Sequence, residues 1–289
     1  MLAVADPAEI PECADCMIPV TDMTVGQPVA RDISGAAGLR VKAAPLFSFA
    51  VNPAAIERPA EPYADEGPLV VLDRCRVAYG PVEILPSVSW TIRPGEHWAL
   101  CGPNGSGKST LLSLIHADNP QVYSNSVTVF GRRRGTGESI WDIKRQIGYI
   151  SPEMHLYFGG GALSVREVIA RGLNDTVGNY VRLTPRQLHT ADRWIALLHM
   201  EHLADRRFNT LSSGEQRMAL LARCMVKNPR LLILDEPMHG LDAMRKRAVK
   251  TIIDTLATRD NTTLVYVTHC PEERPECITH TLTLRRRLT

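Results

Sequence analysis

One eight-residue stretch, Gly102-Pro103-Asn104-Gly105-Ser106-Gly107-Lys108-Ser109, limits what this 289-residue chain can fold into more than any other part of it. It fits G-x-x-x-x-G-K-S/T, follows the short apolar strand His97 to Cys101, and opens a helix expected from about Gly107 onward, with Thr110 in its first turn. A strand that passes through a glycine-rich turn into a helix N-terminus belongs to an α/β core. The glycines let successive N–H groups turn inward around phosphate oxygens, and the helix N-terminus adds positive potential. Lys108 is placed to reach β and γ phosphates, and Ser109 offers a hydroxyl to Mg²⁺. The bland alternative, a glycine-rich turn that binds nothing, is disfavoured by the strand-to-helix context.

A second element stands 127 residues beyond Lys108, where Leu231-Leu232-Ile233-Leu234 runs into Asp235-Glu236. A buried strand thus delivers two acids to its C-terminal edge. The first suits a Mg²⁺ shell and the second can polarise an attacking water, the division of labour that phosphoryl transfer to water needs.

Around these two elements the chain reads as follows. Residues 1 to 67 are rich in Pro and Ala and lack sustained periodicity, so they read as a segment or linker outside the core. From 68 onward, Leu69 to Leu72, Val77 to Tyr79 and Val88 to Ile92 read as neighbouring strands, with turns at Gly80-Pro81 and Arg93-Pro94-Gly95. Further strands are expected at Ser126 to Phe130, Ile147 to Ile150, Leu231 to Asp235 and Thr263 to Thr268. Helices fit Ser164 to Gly172, Pro185 to Met200, Ser213 to Val226 and Ala243 to Thr258. Strands at both ends with helices between them imply an α/β core carrying a mostly helical insertion, placed at about 151 to 227.

Composition narrows the partners only by exclusion. The formal net charge of +2 gives no strong nucleic-acid signal, and Arg132 to Arg134 reads by default as a solvated loop. No run of about eighteen apolar residues occurs, so nothing in the sequence reads as a membrane span. Seven scattered cysteines and no secretory leader favour a reducing, cytoplasmic setting, and Cys13-Ala14-Asp15-Cys16 lacks the second pair that a zinc site needs.

Between the phosphate loop and the acids lies Leu211-Ser212-Ser213-Gly214-Glu215-Gln216, and with it the chain resembles the ATP-binding cassette (ABC) ATPases, whose signature is written L-S-G-G-Q. Tyr79 stands where that family places its adenine-stacking aromatic, Leu241-Asp242 matches the loop after the acids, and Thr268-His269 matches its switch histidine. Outside this constellation His269 would read as an ordinary strand-end residue and Tyr79 as a core aromatic. The resemblance covers about 68 to 289. It implies a P-loop NTPase fold with a RecA-like core, an antiparallel β subdomain and a helical insertion. It also implies ATP as substrate, Mg²⁺ as cofactor, and two cassettes that sandwich two ATPs head to tail. Lys108, Glu236 and His269 would be catalytic, and Ser109 and Asp235 would hold the metal. Tyr79, Gly102 to Thr110, Ser212, Gly214 and Glu215 would bind nucleotide, the last three across the interface. Read without the family, Ser212 is a helix cap.

Two positions depart from the family pattern. Ser213 replaces the first glycine of the signature pair, and Ser151-Pro152-Glu153 follows Ile150 where the family places a glutamine at the second position. That glutamine contacts Mg²⁺ and links the core to the helical subdomain and membrane partner, so the change bears on coupling to a transporter. Pro120 to Asn125, Phe130 to Gly135, Gly137 to Ile143 and Cys277 to His280 are similar to the second half of double-cassette molybdate-transport ATP-binding proteins, also called photorepair proteins. Pro7 to Val20 matches Pro271 to Leu284 at five of fourteen positions, which reads as the end of a preceding cassette followed by a linker, or as chance likeness of two Pro/Glu-rich segments.

Three functions remain open on sequence. The first is an energy-coupling ATPase docked on transmembrane subunits, peripheral at the inner face of the cell membrane, with molybdate as a candidate cargo. The second is a soluble ABC ATPase acting on nucleic acid or ribosomes; the 104 residues from Lys108 to Ser212 leave no room for long coiled coils, which argues against part of that class. The third is a truncated or regulatory cassette with weak turnover.

Overall fold

In the computed structural model the described residues are 67–158, 163–176, 182–260 and 262–285, together with four two-residue strands nearer the N-terminus. Two compact units divide the chain, Met1–Ala50 and Val51–Thr289. In the first, β1 (Cys16–Met17) pairs antiparallel with β4 (Val29–Ala30), and β2 (Val20–Thr21) with β3 (Thr24–Val25). The rest of the proposed cassette remnant and linker, including Pro7 to Cys13, lies outside the described residues.

The second unit begins with an antiparallel sheet of order β6-β5-β8-β9. Sequence reads two strands at Leu69–Leu72 and Val77–Tyr79, whereas the structure has one, β5 (Val70–Tyr79). Its buried residues run Val70, Leu72, then Cys75 and Val77, a step of three where a pleat requires two. A bulge absorbs the extra residue: the register shifts between Leu72 and Cys75, Arg74 adopts φ 45, and its displaced N–H donates to Ser89 Oγ at 2.9 Å. The apolar face therefore stays on one side. β6 (Val82–Ile92) is also longer than expected and continues through Pro86, whose missing N–H is tolerated in this irregular stretch. β8 (Ser126–Val129) and β9 (Arg132–Arg133) complete the sheet.

Five wholly parallel strands form the second sheet in the order β10-β11-β12-β7-β13. They are β7 (His97–Cys101), β10 (Ile147–Ile150), β11 (Leu231–Asp235), β12 (Thr263–Val267) and β13 (His280–Thr283). Central β11 and β12 are buried along their whole length, as expected of strands covered on both faces. The pleat sorts their side chains. Leu231, Ile233, Val265 and Val267 enter one core with α1 (Lys108–Ile115) and the antiparallel sheet. Leu232, Leu234, Leu264 and Tyr266 enter another with the helical region.

That helical region contains α3 (Val165–Ala170), α4 (Pro185–Leu197) and α5 (Ser213–Met225). Each starts at a capping box, Ser164 with Glu167, Thr184 with Gln187 and Ser212 with Glu215, which is why their N-termini are legible to the residue. The C-termini are less so: Arg171–Asn174, placed partly in a helix by sequence, forms a 3₁₀ turn. α2 (Ile140–Lys144), five residues long, carries no periodic signal and was not expected. α6 (Ala243–Asp260) covers the sheet beyond β11.

Candidate functional site

Three of the parallel strands, β7, β11 and β12, end in the segments that hold the expected site residues, because parallel pairing puts their C-terminal edges side by side. β7 leads into the loop. Gly102 takes φ +150 and Gly107 takes φ +90, conformations that L side chains avoid. A Cβ on Gly107 would also sit 2.6 Å from Leu85 Cδ2, so the β5–β6 hairpin presses directly on the loop. The tip of that hairpin carries Tyr79, 54% exposed, with its hydroxyl accepting from Asn119 Nδ2 at 3.3 Å.

Pro103, Asn104 and Gly105 are exposed at the rim, while Ser106 and Lys108 are buried. The Lys108 ammonium turns back into the loop and donates to the carbonyls of Gly102 (2.7 Å) and Pro103 (3.1 Å). Burial pulls its pKa down, against the opposing pull of Asp235 and Glu236. Thr110 lies one turn into α1, where its carbonyl accepts from Ser113 Oγ.

Ser109 Oγ donates to Asp235 Oδ2 at 3.4 Å, which brings the two expected metal ligands together across 126 residues of sequence. Asp235 is 5% exposed, and burial, followed by repulsion from Glu236, pushes its pKa up to about 6 despite Ser109, Lys108 and Arg217. Two hard oxygen donors beside a lysine suit a small divalent cation that takes its remaining ligands from phosphate and water. Among the described residues no group of three His, Cys, Asp or Glu side chains could cage a metal unaided. Among the described residues the buried Ser106 Oγ finds no hydrogen-bond partner, which suits a group facing a phosphate.

Glu236 leaves the strand in the left-handed region, φ 48, with its N–H donating to Val267 O at 3.0 Å. Its Oε1 lies 2.9 Å from His269 Nε2, so the expected water-polarising acid and switch histidine meet. Asp242 caps α6 through Arg245 N at 2.8 Å, and Arg245 lies against Gly214.

The signature residues stand apart from this group. Ser212 is the cap of α5: its hydroxyl donates to Glu215 Oε2 at 2.7 Å, and Glu215 N donates back to Ser212 Oγ at 3.4 Å. Burial would raise the Glu215 pKa, but the bonds from Ser212 and the charge of Arg245 lower it. Among the described residues no hydrogen bond or ion pair joins Ser212, Gly214 or Glu215 to the phosphate loop.

Sequence reasoning missed Arg217. Buried at 6% exposure on α5, it donates to the carbonyls of Pro237 (3.1 Å), Ser151 (2.7 Å), Asp235 (3.1 Å) and Glu236. Five residues after Ser212 in an apparently polar stretch, it gave no signal of burial. The departure at Ser151-Pro152-Glu153 lies in the same neighbourhood: a 3₁₀ helix, Pro152–Phe158, follows β10, with Glu153 exposed and Leu156 and Tyr157 at 67% and 69% exposure.

The sequence profile described as "ABC transporter" matches residues 85–239. The chain is 47% identical over 216 residues to the ABC transporter ATP-binding protein ModF of Escherichia coli (strain K12), covering 74% of this chain and 44% of ModF. The chain thus spans less than half the length of that relative. It is 35% identical over 197 residues to the uncharacterized ABC transporter ATP-binding protein YlmA of Bacillus subtilis (strain 168), 66% of this chain and 72% of that protein. Among solved structures, the dimeric bacterial ABC transporter cassette MJ0796 superposes with a TM-score of 0.63 at 21% identity, over 75% of this chain and 94% of that one. The same cassette in a post-hydrolysis state bound to ADP and Pi gives 0.64 at 22% identity, over 74% and 94%. With the profile spanning more than half of the sequence, the loop, acids and signature occurring in order, and the cassette fold reproduced, this chain belongs to the ABC transporter family of ATP-binding cassettes.

Proposed function

We propose that this chain hydrolyses ATP to ADP and phosphate as the energy-coupling cassette of an ABC transporter, each of its sites being completed by a second cassette. The observation that carries the reading is the meeting of Ser109 with Asp235 and of Glu236 with His269 at adjacent strand ends, next to the looped Lys108. Loop N–H groups from Gly102 to Thr110 receive the phosphates, and Lys108 exchanges its carbonyl partners for β and γ oxygens. Tyr79 stacks on the base. Ser109 and Asp235 would hold Mg²⁺, and the ion would supply charge neutralisation for the phosphate oxygens. Glu236 accepts a hydrogen bond from the attacking water, and His269 orients that carboxylate and the γ-phosphate.

Ser212, Gly214 and Glu215, joined to the phosphate loop by no hydrogen bond or ion pair among the described residues, are assigned to the γ-phosphate of a partner cassette, a second copy or a paired one. The exposed Leu156 and Tyr157 offer a surface for a transmembrane subunit, which would place the protein in the cytoplasm at the inner membrane face. Among the described residues no helix is long and apolar enough to cross a membrane. Molybdate as cargo rests on the resemblance alone, since the residues described here bind nucleotide and leave cargo selection to membrane subunits. Pro152 at the glutamine position, with Glu153 exposed one residue later, favours a second reading, a cassette that works without membrane subunits; co-purification with membrane proteins from its own cell separates the two.

Sedimentation of Glu236→Gln tests the composite site. Saturating Mg²⁺-ATP is expected to double its mass, ADP is expected to leave it monomeric, and Ser212→Arg is expected to abolish the dimer while nucleotide binding by the single chain persists. Loss of nucleotide binding by Ser212→Arg would contradict the role across the interface.

A further inference from the structure

The guanidinium of Arg217 uses four N–H groups on four main-chain carbonyls that belong to two separate segments, the acid turn Asp235, Glu236 and Pro237, and Ser151 beyond β10. We propose that Arg217 is a positioning residue that pins the Glu236 turn in its working conformation and ties that turn to the signature helix α5. The inference rests on the roles proposed above for Glu236 and Ser212 and adds the connection between them.

Glu236 needs such a restraint. At φ 48 it occupies a region that costs a non-glycine residue about 1–2 kcal/mol. Its N–H is held by Val267 O, and its carbonyl accepts from both Arg217 Nη2 and His239 N, so the peptide is fixed from both sides. From the backbone so held, the carboxylate reaches His269 Nε2 at 2.9 Å. The same guanidinium sits five residues from the Ser212 cap, roughly 7.5 Å along a rigid helix at 1.5 Å per residue. A partner's γ-phosphate that draws in Ser212 and Gly214 therefore moves Arg217, and with it the carbonyls on either side of the Glu236 α-carbon. The bond to Ser151 extends the tie to the loop after β10, where this chain has no glutamine side chain to make one.

The choice of residue fits the task. A planar fork with donors on three nitrogens can serve carbonyls in different directions at once, whereas the ammonium of lysine radiates from one point and reaches fewer. Placing that charge at 6% exposure is costly, and carbonyl dipoles on four of its five N–H groups are what make it tolerable.

Arg217→Lys and Arg217→Gln, measured beside the wild type, test the proposal in two ways. In steady-state turnover both variants are expected to lower kcat about 100-fold while KM for Mg²⁺-ATP stays within about threefold, the pattern of a lost transition-state interaction. In hydrogen exchange the amides of Glu236 and His239 are expected to exchange at least about tenfold faster, with the amides of central β11 and β12 unchanged. Either variant that melts cooperatively suffices. The proposal is overturned if kcat stays within about twofold of wild type, or if KM, melting temperature and exchange throughout the sheet all move together, which is the signature of a merely structural arginine. A wild type that does not turn over contradicts the ATPase reading instead, and the exchange measurement still decides whether Arg217 pins the acid turn.

Discussion

Gly107 shows how a single residue sets the geometry of the phosphate loop. Its φ of +90 and its contact with the Leu85 side chain leave room for hydrogen alone. Gly107→Ala is expected to cost about 1–2 kcal/mol in backbone strain, and to weaken Mg²⁺-ATP binding at least tenfold, since the N–H groups behind the loop must shift. Calorimetric melting with and without nucleotide measures both; unchanged affinity would mean that the loop tolerates a different path. The loop, Asp235 and Glu236 were legible because phosphate and metal chemistry demand those residue types at the end of a strand. Arg217 was not, because its importance lies in main-chain carbonyls from two distant segments, and a pattern of side chains carries no record of where carbonyls point. Ser212 carried two readings in the sequence, a cap and a phosphate grip, and the capping box is the one seen in the structure.

At the level of elements, Asp118 links the end of α1 to α2. Its carboxylate lies 2.6 Å from His116 Nδ1 and also accepts from Lys144 Nζ. Burial alone would raise its pKa, but His116 and Lys144 together outweigh this and lower it to about 2 from the ordinary 3.8. A depressed carboxylate pKa stabilises the fold above the unfolded value, and that contribution disappears as pH falls through about 2. The full shift would amount to roughly 2.5 kcal/mol, but the side chain is 47% exposed and screened, so about 1 kcal/mol is expected. Denaturant melts of Asp118→Asn and wild type should differ by that amount at pH 5 and converge near pH 2; an equal gap at both pH values would show that the carboxylate charge is not the cause. Nothing in the sequence pointed to α2, whose five residues are too few for a helical period, and the reading broke β5 over Asp73 to Arg76 because a bulge hides inside an ordinary break in alternation.

For the whole molecule, the alternation of strands and helices from 68 onward was enough to imply an α/β core with a helical insertion, and the ordered motifs were enough to imply the cassette. The sheet order β10-β11-β12-β7-β13 was not legible, since which parallel strands lie side by side is decided by crossovers and not by any one strand's composition. That order is what matters for the chemistry: it sets β12 between β7 and β11, so that the phosphate loop, the acid pair and His269 emerge along one edge. On the function proposed above, this edge hydrolyses ATP with Glu236 as the residue that polarises water. Phosphate release under saturating Mg²⁺-ATP, compared between wild type and Glu236→Gln with nucleotide binding measured on the same samples, tests it most directly. Magnesium-dependent release by the wild type, and a fall of at least about 100-fold in Glu236→Gln with binding retained, is the predicted result; release by Glu236→Gln at the wild-type rate would contradict it.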